Sequence, residues 1–303
     1  MPWNDIWQAD MNENGVVPLV KGISDDERND DEGYLIVDLN PFENPSRDRT
    51  RGQNRQISVL TEVTIPENKK ESYELVKRLL DNYIARQGVS DPLSDEEIAE
   101  IRRFLSFAIQ TKPMEIVREH VERNQEIGND DEWIEMLYDI WFKTHRNDSI
   151  SLFEHVFVGE ADGQVLGGHH FWYHYYLHDG PFEVTQIEDT IVFIEHVDVQ
   201  RSEVSNQAEV ITIKYRYKIK DNHNPHGINL NKNKGGFFVG LSAEGLMAFG
   251  TMAHFEAIRN SNPPAEAIEI PIHINEERYE LKVVHKNEDG ETFLRTFYPM
   301  IIQ

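Results

Sequence analysis

The stretch AEVITIKYRYKI, residues 208–219, has the clearest secondary-structure pattern in the chain. Apolar or aromatic side chains alternate with mostly polar ones along it, at Ile211, Ile213, Tyr215, Tyr217 and Ile219. Successive side chains of a β-strand point to opposite faces, so this alternation predicts a half-buried strand. Short runs of similar composition lie on both sides of it: FEHVFVG, TIVFIEHVDV, GFFVG, IEIPIHI, YELKVVHK and ETFLRTFY. The sequence therefore predicts a β-rich region over residues 149–303.

Two further elements are predicted within this region. NEDG, residues 287–290, has the composition of a hairpin turn between the last two strands. LSAEGLMAFGTMAHFEAIRN, residues 241–260, has the composition of a helix, and Ser242 is placed to cap its N-terminus.

Before residue 149 the periodicity is helical. Apolar residues recur at helical spacing over residues 73–83, 98–108, 114–127 and 132–145. Ser94 and Glu97 have the spacing of a capping box before the second of these helices. Residues 1–55 are rich in Asp, Asn, Arg, Gly and Pro, which predicts an irregular segment with one short strand, IVDL. The fold class is therefore α+β, with an irregular segment over 1–55, a helical region over 56–148 and the β-rich region last.

The composition excludes several classes of protein. Thirty basic residues against 54 acidic ones give a net charge of −24, which opposes binding of nucleic acid through a generally basic surface. An RNA partner would need a local positive site, and a wall formed by Lys214, Arg216, Lys218, Lys220, Lys232 and Lys234 is the candidate. The absence of cysteine excludes disulfides and thiolate chemistry. Because no targeting segment or apolar run of ~20 residues is visible, we expect a cytoplasmic protein that does not contact membranes.

Five of the thirteen histidines lie in SLFEHVFVGEADGQVLGGHHFWYHYYLH, residues 151–178. One hypothesis is a metal site, because His170, His174 and His178 would share one face of a helix. The HExxH pattern is absent, however, and no carboxylate lies between these histidines. A second hypothesis is that His155, in a predicted strand, and His170, after a Gly-Gly pair, share acid and base catalysis. A third is that the histidines only pack in the core or on the surface.

The motifs around His155 and His170 resemble those of the EndoU (XendoU-like) family of endoribonucleases, which is related to the coronavirus uridylate-specific endoribonuclease. FEHVFVGE and GGHHFW are similar to the segments that carry the two catalytic histidines of the family. KNKGGFFVGLSAEG resembles its lysine segment and assigns the catalytic position to Lys232, with Lys234 as an alternative if the flexible NKNKGG loop shifts. The final TFYPMII supplies Thr296 and Tyr298 as substrate-binding residues. Nearer the start, IWQADMNEN and KPMEIVREHV resemble family segments more loosely.

The resemblance implies a fold and a reaction. The fold would be a helical N-terminal half followed by two antiparallel β-sheets with flanking helices. The reaction would be cleavage of single-stranded RNA, at or near uridines, by attack of a 2′-hydroxyl on its own 3′-phosphate, giving 2′,3′-cyclic phosphate and 5′-hydroxyl ends. His170 is then the candidate base, His155 the candidate acid and Lys232 the cation that stabilises the phosphorane. Glu154 and Glu160 belong to the motif and could orient a histidine ring.

Two features of the resemblance leave alternatives open. Gly236 occupies the substrate-binding position where family members often carry a serine associated with uracil selection, so uridine preference is less secure than cleavage itself. Mn²⁺ is required by part of the family only. The competing functions are a catalytically inactive RNA-binding protein of the same fold and a metal-binding protein built around His170, His174 and His178.

Overall fold

The computed structural model describes residues 2–41, 58–81, 83, 92–123, 125–145, 150–180, 182–187, 190–193, 199–221, 224–261, 263–288 and 290–302. Within these ranges, eight α-helices and three β-sheets form an α+β fold. None of the helices in these ranges is long and apolar enough to cross a membrane.

The first 64 residues contain more regular structure than the sequence predicted. Helix α1 covers Trp3–Glu13. Strands β1 (Val17–Val20), β2 (Tyr34–Val37) and β3 (Leu60–Thr64) form a sheet in which β1 runs parallel and β3 antiparallel to β2. The predicted IVDL strand corresponds to β2, which begins two residues earlier, whereas α1 and β1 were missed and residues 42–55 lie outside the described ranges. The buried residues of α1 do have helical spacing. They are Trp3, Ile6, Trp7 and Asp10, and the Asn and Asp residues of this segment obscured the pattern in the sequence.

Four helices follow, as predicted, although a sheet shares this half of the chain. They are α2 (Lys70–Leu79), α3 (Asp95–Ala108), α4 (Lys112–Glu122) and α5 (Asp130–Trp141). The capping box at α3 is confirmed, because Ser94 Oγ accepts the Glu97 N–H and the Glu97 carboxylate accepts the Ser94 N–H. Helices α4 and α5 end before the predicted positions, at Glu122 and Trp141.

The second half of the chain supplies two more sheets. Strands β4 (Glu160–Asp162), β5 (Val165–Gly167), β6 (Ile191–Val192), β8 (Val210–Asp221) and β9 (Asn224–Phe238) lie in the order β4-β5-β9-β8-β6, and β7 (Gln200–Arg201) also pairs with β8. Strands β10 (Ala267–Ile274), β11 (Glu277–Glu288) and β12 (Glu291–Ile301) form an antiparallel sheet. Helices α6 (Trp172–Asp179), α7 (Phe182–Thr185) and α8 (Ala243–Asn260) complete the region.

Most of the predicted strands are confirmed, with three corrections. Residues 208–219 form most of β8, and its five alternating side chains are buried. FEHVFVG is not a strand: Glu154–Val158 is a π-helical turn, and because all five of its residues are buried the run lacks the alternation of a half-exposed strand. NKNKGG is not a flexible loop but part of β9, paired with β8. The larger sheet is also not wholly antiparallel, since β5 and β9 are parallel. Residues 194–198 of the predicted TIVFIEHVDV strand lie outside the described ranges.

Helix α8 lies at the centre of the molecule. Ser242 Oγ accepts the Gly245 N–H, which confirms the predicted cap. Its side chains contact both halves of the chain: Thr251 accepts a hydrogen bond from Trp141 Nε1 at 3.0 Å, and Phe249 packs on Trp3 and Phe238. One cluster of buried apolar residues therefore extends from Trp3 to Phe297, and the predicted region boundaries at residues 55 and 148 stay predictions.

Candidate active site

His155 lies in the π-helical turn and is held by a carboxylate. Its Nδ1 is 2.8 and 2.9 Å from the two carboxylate oxygens of Glu160, and Arg295 Nη2 donates to Glu160 Oε1 at 3.0 Å. Burial would raise the pKa of Glu160, but the charges of His155, Arg295 and Lys232 lower it to about 2. An ionised Glu160 accepts the Nδ1–H of His155, which leaves Nε2 of that ring free for proton transfer.

His170 is held by a backbone carbonyl instead. Its Nδ1–H donates to the Gly236 oxygen at 2.9 Å, and its ring stacks on Tyr298 with centroids 4.9 Å apart. Burial lowers the pKa of His170 well below its usual value, and the charges of Lys232 and His155 act in the same direction. The ring is therefore neutral near pH 7, with the lone pair on Nε2 available as a base.

Burial also lowers the pKa of His155, but there Glu160 opposes the shift by stabilising the protonated ring. Among the residues that the structure describes, no carboxylate contributes to the pKa shift of His170. The two rings, with centroids 6.4 Å apart, are therefore in different electrostatic environments.

Two backbone hydrogen bonds join the segments that carry these histidines. The His169 N–H donates to the His155 carbonyl at 2.8 Å, and the His170 N–H donates to the Val156 carbonyl at 2.7 Å. This approach requires the Gly-Gly pair. Gly168 has a φ of +59°, and a Cβ there would lie 1.8 Å from the His155 oxygen. A Cβ at Gly167 would lie 2.5 Å from the Glu160 carboxylate.

Lys232 extends from β9 toward the two histidines. Its Nζ donates to the Gly168 carbonyl and, at 3.4 Å, to the Leu166 carbonyl. Burial lowers the pKa of Lys232 to about 8, and the charge of Glu160 opposes that shift. The side chain of Lys234 is exposed, so the structure brings Lys232, and not Lys234, to the histidines.

Two of the three predicted substrate-binding residues contact His170, and the third lies near them on β12. Tyr298, on β12, stacks on its ring, and Gly236 supplies the carbonyl that holds it. Thr296 lies two residues before Tyr298 on the same face of β12, and its buried Oγ1 has no hydrogen-bond partner among the described residues. A Cβ at Gly236 would lie 2.6 Å from the Pro299 carbonyl, so a serine at this position would displace β12.

The predicted metal face does not form. His170 precedes α6, which begins at Trp172, and its ring lies against Gly236 and Tyr298. Over the described part of the chain, no three His, Cys, Asp or Glu side chains are grouped as a metal site requires. The described residues therefore do not assemble a protein donor set for Mn²⁺.

The predicted basic wall is divided between the two faces of the larger sheet. Lys232 is the cross-strand partner of Tyr215, and direct partners share a face, which here is the buried one. Lys214, which is exposed, alternates with Tyr215 on β8 and so lies on the opposite face, together with Arg216 and Lys218. The side chain of Lys220 lies outside the part of the chain that the structure describes. The prediction of one continuous basic surface is therefore wrong.

Arg295 is the residue of this site that the sequence did not reveal. It lies in β12, 135 positions after Glu160, and is buried. A single arginine in a strand is ordinarily exposed, so its contact with Glu160 had no sequence signal. The orienting role suggested for Glu160 agrees with its contact with His155.

Comparison with known proteins agrees with the resemblance in the sequence. The family model "Endoribonuclease XendoU" matches residues 18–299. Poly(U)-specific endoribonuclease-A of Xenopus laevis is 29% identical over 232 residues, covering 74% of this chain and 70% of the relative. Poly(U)-specific endoribonuclease-B of the same organism is 28% identical over 241 residues, covering 77% and 73%.

A solved structure shares the fold. It is described as "The structure of XendoU: a splicing independent snoRNA processing endoribonuclease", and it aligns with a TM-score of 0.59 at 22% identity over 99% of this chain and 96% of the other. Because the family model matches almost the whole chain, this protein belongs to the XendoU family of endoribonucleases, which are RNA-cleaving enzymes.

Proposed function

We propose that this protein cleaves single-stranded RNA at uridines by transphosphorylation, leaving 2′,3′-cyclic phosphate and 5′-hydroxyl ends. One observation carries the proposal: two histidines face one site with different partners, His155 bonded to the Glu160 carboxylate and His170 to the Gly236 carbonyl. The Glu160 carboxylate stabilises a proton on the His155 ring, which suits an acid, whereas burial and the charge of Lys232 keep the His170 ring neutral, which suits a base.

The reaction moves one proton at each end of a phosphoryl transfer. Nε2 of His170 takes the proton from the 2′-hydroxyl, and the 2′-oxygen forms a bond to the adjacent phosphorus. The bond from phosphorus to the 5′-oxygen breaks, and Nε2 of His155 donates the proton that this oxygen requires. Atoms and charges balance without a covalent enzyme intermediate, which agrees with the absence of cysteine. Each proton-transfer group typically contributes ~10²- to 10⁴-fold to the rate.

Lys232 stabilises the charge that develops on the phosphorane oxygens. Its ammonium has three N–H donors, and two of them are directed to the Gly168 and Leu166 carbonyls. The third can reach a phosphate oxygen, and the two carbonyls fix its direction beforehand. Such a fixed charge in a buried site stabilises a transition state more than a mobile one in water does.

Uridine recognition is assigned to β12. Tyr298 presents an aromatic ring for stacking of a base or ribose, a contact worth ~1–3 kcal/mol. Oγ1 of Thr296, which has no hydrogen-bond partner in the described part of the chain, is a hydrogen-bond donor and acceptor for a base edge. The two Xenopus laevis relatives are named as poly(U)-specific, which supports uridine as the base at the cleaved position.

The test is cleavage of a short fluorescent single-stranded RNA that contains all four bases, in EDTA and in Mn²⁺. The wild type should produce cyclic-phosphate ends after uridine, and an RNA with 2′-deoxyuridine should resist cleavage because the nucleophile is missing. His170→Ala should lose at least ~10²-fold in rate, whereas the control His273→Ala, which changes an exposed histidine of β10, should not. RNA binding without cleavage in either condition would instead support the inactive RNA-binding protein.

A further inference from the structure

His169 has a backbone conformation that residues with a side chain rarely adopt. Its φ is +59°, in the left-handed region, and it follows Gly168, which has the same φ. Glycine adopts this region freely, but a Cβ makes it unfavourable, so a histidine persists there only when its surroundings hold it. The residue is fully buried. No hydrogen bond of the proposed proton transfer uses its ring, so the contacts that hold this unfavourable backbone geometry must be sought elsewhere.

The side chain of His169 is bonded at both nitrogens. Nδ1 lies 2.6 Å from the hydroxyl of Tyr215, and Nε2 lies 2.8 Å from Nδ1 of His174. The ring also stacks on Tyr217, with centroids 5.2 Å apart and an angle of 12° between the planes. These three partners belong to β8 and α6, so the ring connects the turn at Gly168 to two rigid elements.

The hydrogen bonds are compatible with a neutral ring. A neutral imidazole donates through one nitrogen and accepts through the other, and both a tyrosine hydroxyl and a second neutral imidazole can take the complementary part. Burial, and then the charge of Lys232, lowers the pKa of His169 well below its usual value. The chain from Tyr215 through His169 to His174 is therefore uncharged and fully bonded at its central member.

The backbone of His169 makes the link to the active site. Its N–H donates to the His155 carbonyl, and the next N–H, of His170, donates to the Val156 carbonyl. The carbonyl before it, of Gly168, accepts from Lys232. A change in the backbone angles at His169 would thus move all three groups of the proposed mechanism at once.

We propose that His169 is a positioning residue, whose side-chain bonds to Tyr215 and His174 hold the left-handed turn that sets the places of His155, His170 and Lys232. It does not touch substrate. The inference rests on the proposed function for its kinetic consequence, but its geometric consequence does not depend on activity.

The kinetic test compares variants that separate the hydrogen bonds from the packing. Tyr215→Phe removes one hydroxyl from the chain, and His169→Phe fills the space without either bond. Both should lower kcat on the fluorescent RNA by ~10-fold or more, since a displacement of about 1 Å costs ~10²-fold, and both should leave KM within ~2-fold. His169→Asn should recover part of the rate, because asparagine tolerates a positive φ and keeps hydrogen-bonding atoms. Tyr217→Phe is the matched control, since it keeps the stacked ring and leaves the two bonds of His169 intact.

A structural readout distinguishes failure of this inference from failure of the proposed function. In protein labelled with ¹⁵N-histidine, the ring signals of His155 and His170 should shift in Tyr215→Phe and stay in place in Tyr217→Phe, whether or not RNA is cleaved. A wild type that cleaves while Tyr215→Phe and His169→Phe keep its kcat would overturn the inference. So would unchanged ring signals, or a loss of rate that only equals the loss of folded protein by circular dichroism. A wild type that does not cleave would overturn the proposed function alone.

Discussion

Replacement of Gly168 by alanine tests the central geometric claim about the site. Both Gly168 and Gly163 have left-handed backbones, with φ of +59° and +61°. A Cβ at Gly168 would lie 1.8 Å from the His155 oxygen, whereas a Cβ at Gly163, in the turn between β4 and β5, would meet nothing within 4 Å. Gly163→Ala therefore measures backbone strain alone, and Gly168→Ala measures strain together with the collision.

The magnitudes follow from these two effects. A left-handed residue with a Cβ costs roughly 1–2 kcal/mol, which applies to both variants. At Gly168 the collision must also separate the segments joined by the bonds from His169 and His170 to the π-helical turn, and each such bond contributes about 0.5–1.5 kcal/mol. We expect Gly168→Ala to lower the free energy of unfolding by about 2–5 kcal/mol, and Gly163→Ala by about 1–2 kcal/mol.

The effect on catalysis should be larger than the effect on stability. Separating the segments by about 1 Å moves His170 relative to His155, and a misplacement of that size costs ~10²-fold in rate. Urea unfolding would give the stability of each variant. Cleavage of the fluorescent RNA, measured without urea at a temperature at which both variants are folded, would give the rate. If Gly168→Ala matched Gly163→Ala in both measurements, the close approach of Gly168 to His155 would not exist in solution and the site geometry would be wrong.

Three further predictions concern Lys232, Gly236 and Asp10 of helix α1. Because burial lowers the pKa of Lys232 to about 8, a reaction that needs its ammonium should lose kcat/KM as the pH rises through about 8. Lys232→Arg stays charged, so this variant should not show the alkaline decline in kcat/KM. A decline at the same pH in both proteins would assign it to another group. Gly236→Ser should lose cleavage activity rather than gain preference for uridine over cytidine, because its Cβ would meet the Pro299 carbonyl at 2.6 Å; unchanged activity with sharper selectivity in paired RNA substrates would contradict this. Burial, with the charge of Glu244, raises the pKa of Asp10 from 3.8 to about 8. Between these two pH values the folded protein retains a proton that the unfolded chain releases. The contribution of this group to stability is therefore lost as the pH rises from about 4 to about 8. Asp10→Asn does not titrate, so its free energy of unfolding relative to the wild type should increase over that interval in urea titrations at several pH values, and a constant difference would refute the pKa shift.

The sequence predicted those features that depend on near neighbours. The alternation in residues 208–219 gave β8, the Ser94–Glu97 pair gave the start of α3, and Ser242 gave the cap of α8. Each is a local signal, because a strand face, a capping box and an N-cap involve residues within a few positions of one another. The π-helical turn was missed because its burial is not a local signal. A fully buried segment has no exposed face, so FEHVFVG has the composition of a strand without its conformation.

The residues of the candidate active site show the same division between local and long-range information. The sequence by itself determined which chemical groups are available, since motif resemblance predicted His155, His170 and Lys232 as the catalytic candidates without any coordinates. Only the tertiary structure decided their environment. The contact of Glu160 with Arg295 joins residues 135 positions apart, and the stack of His170 on Tyr298 joins the segment before α6 to β12. The pKa of each histidine depends on how deeply the fold buries its ring and on charges brought to it from distant parts of the chain, such as Lys232 and Arg295, and neither is a property of local sequence.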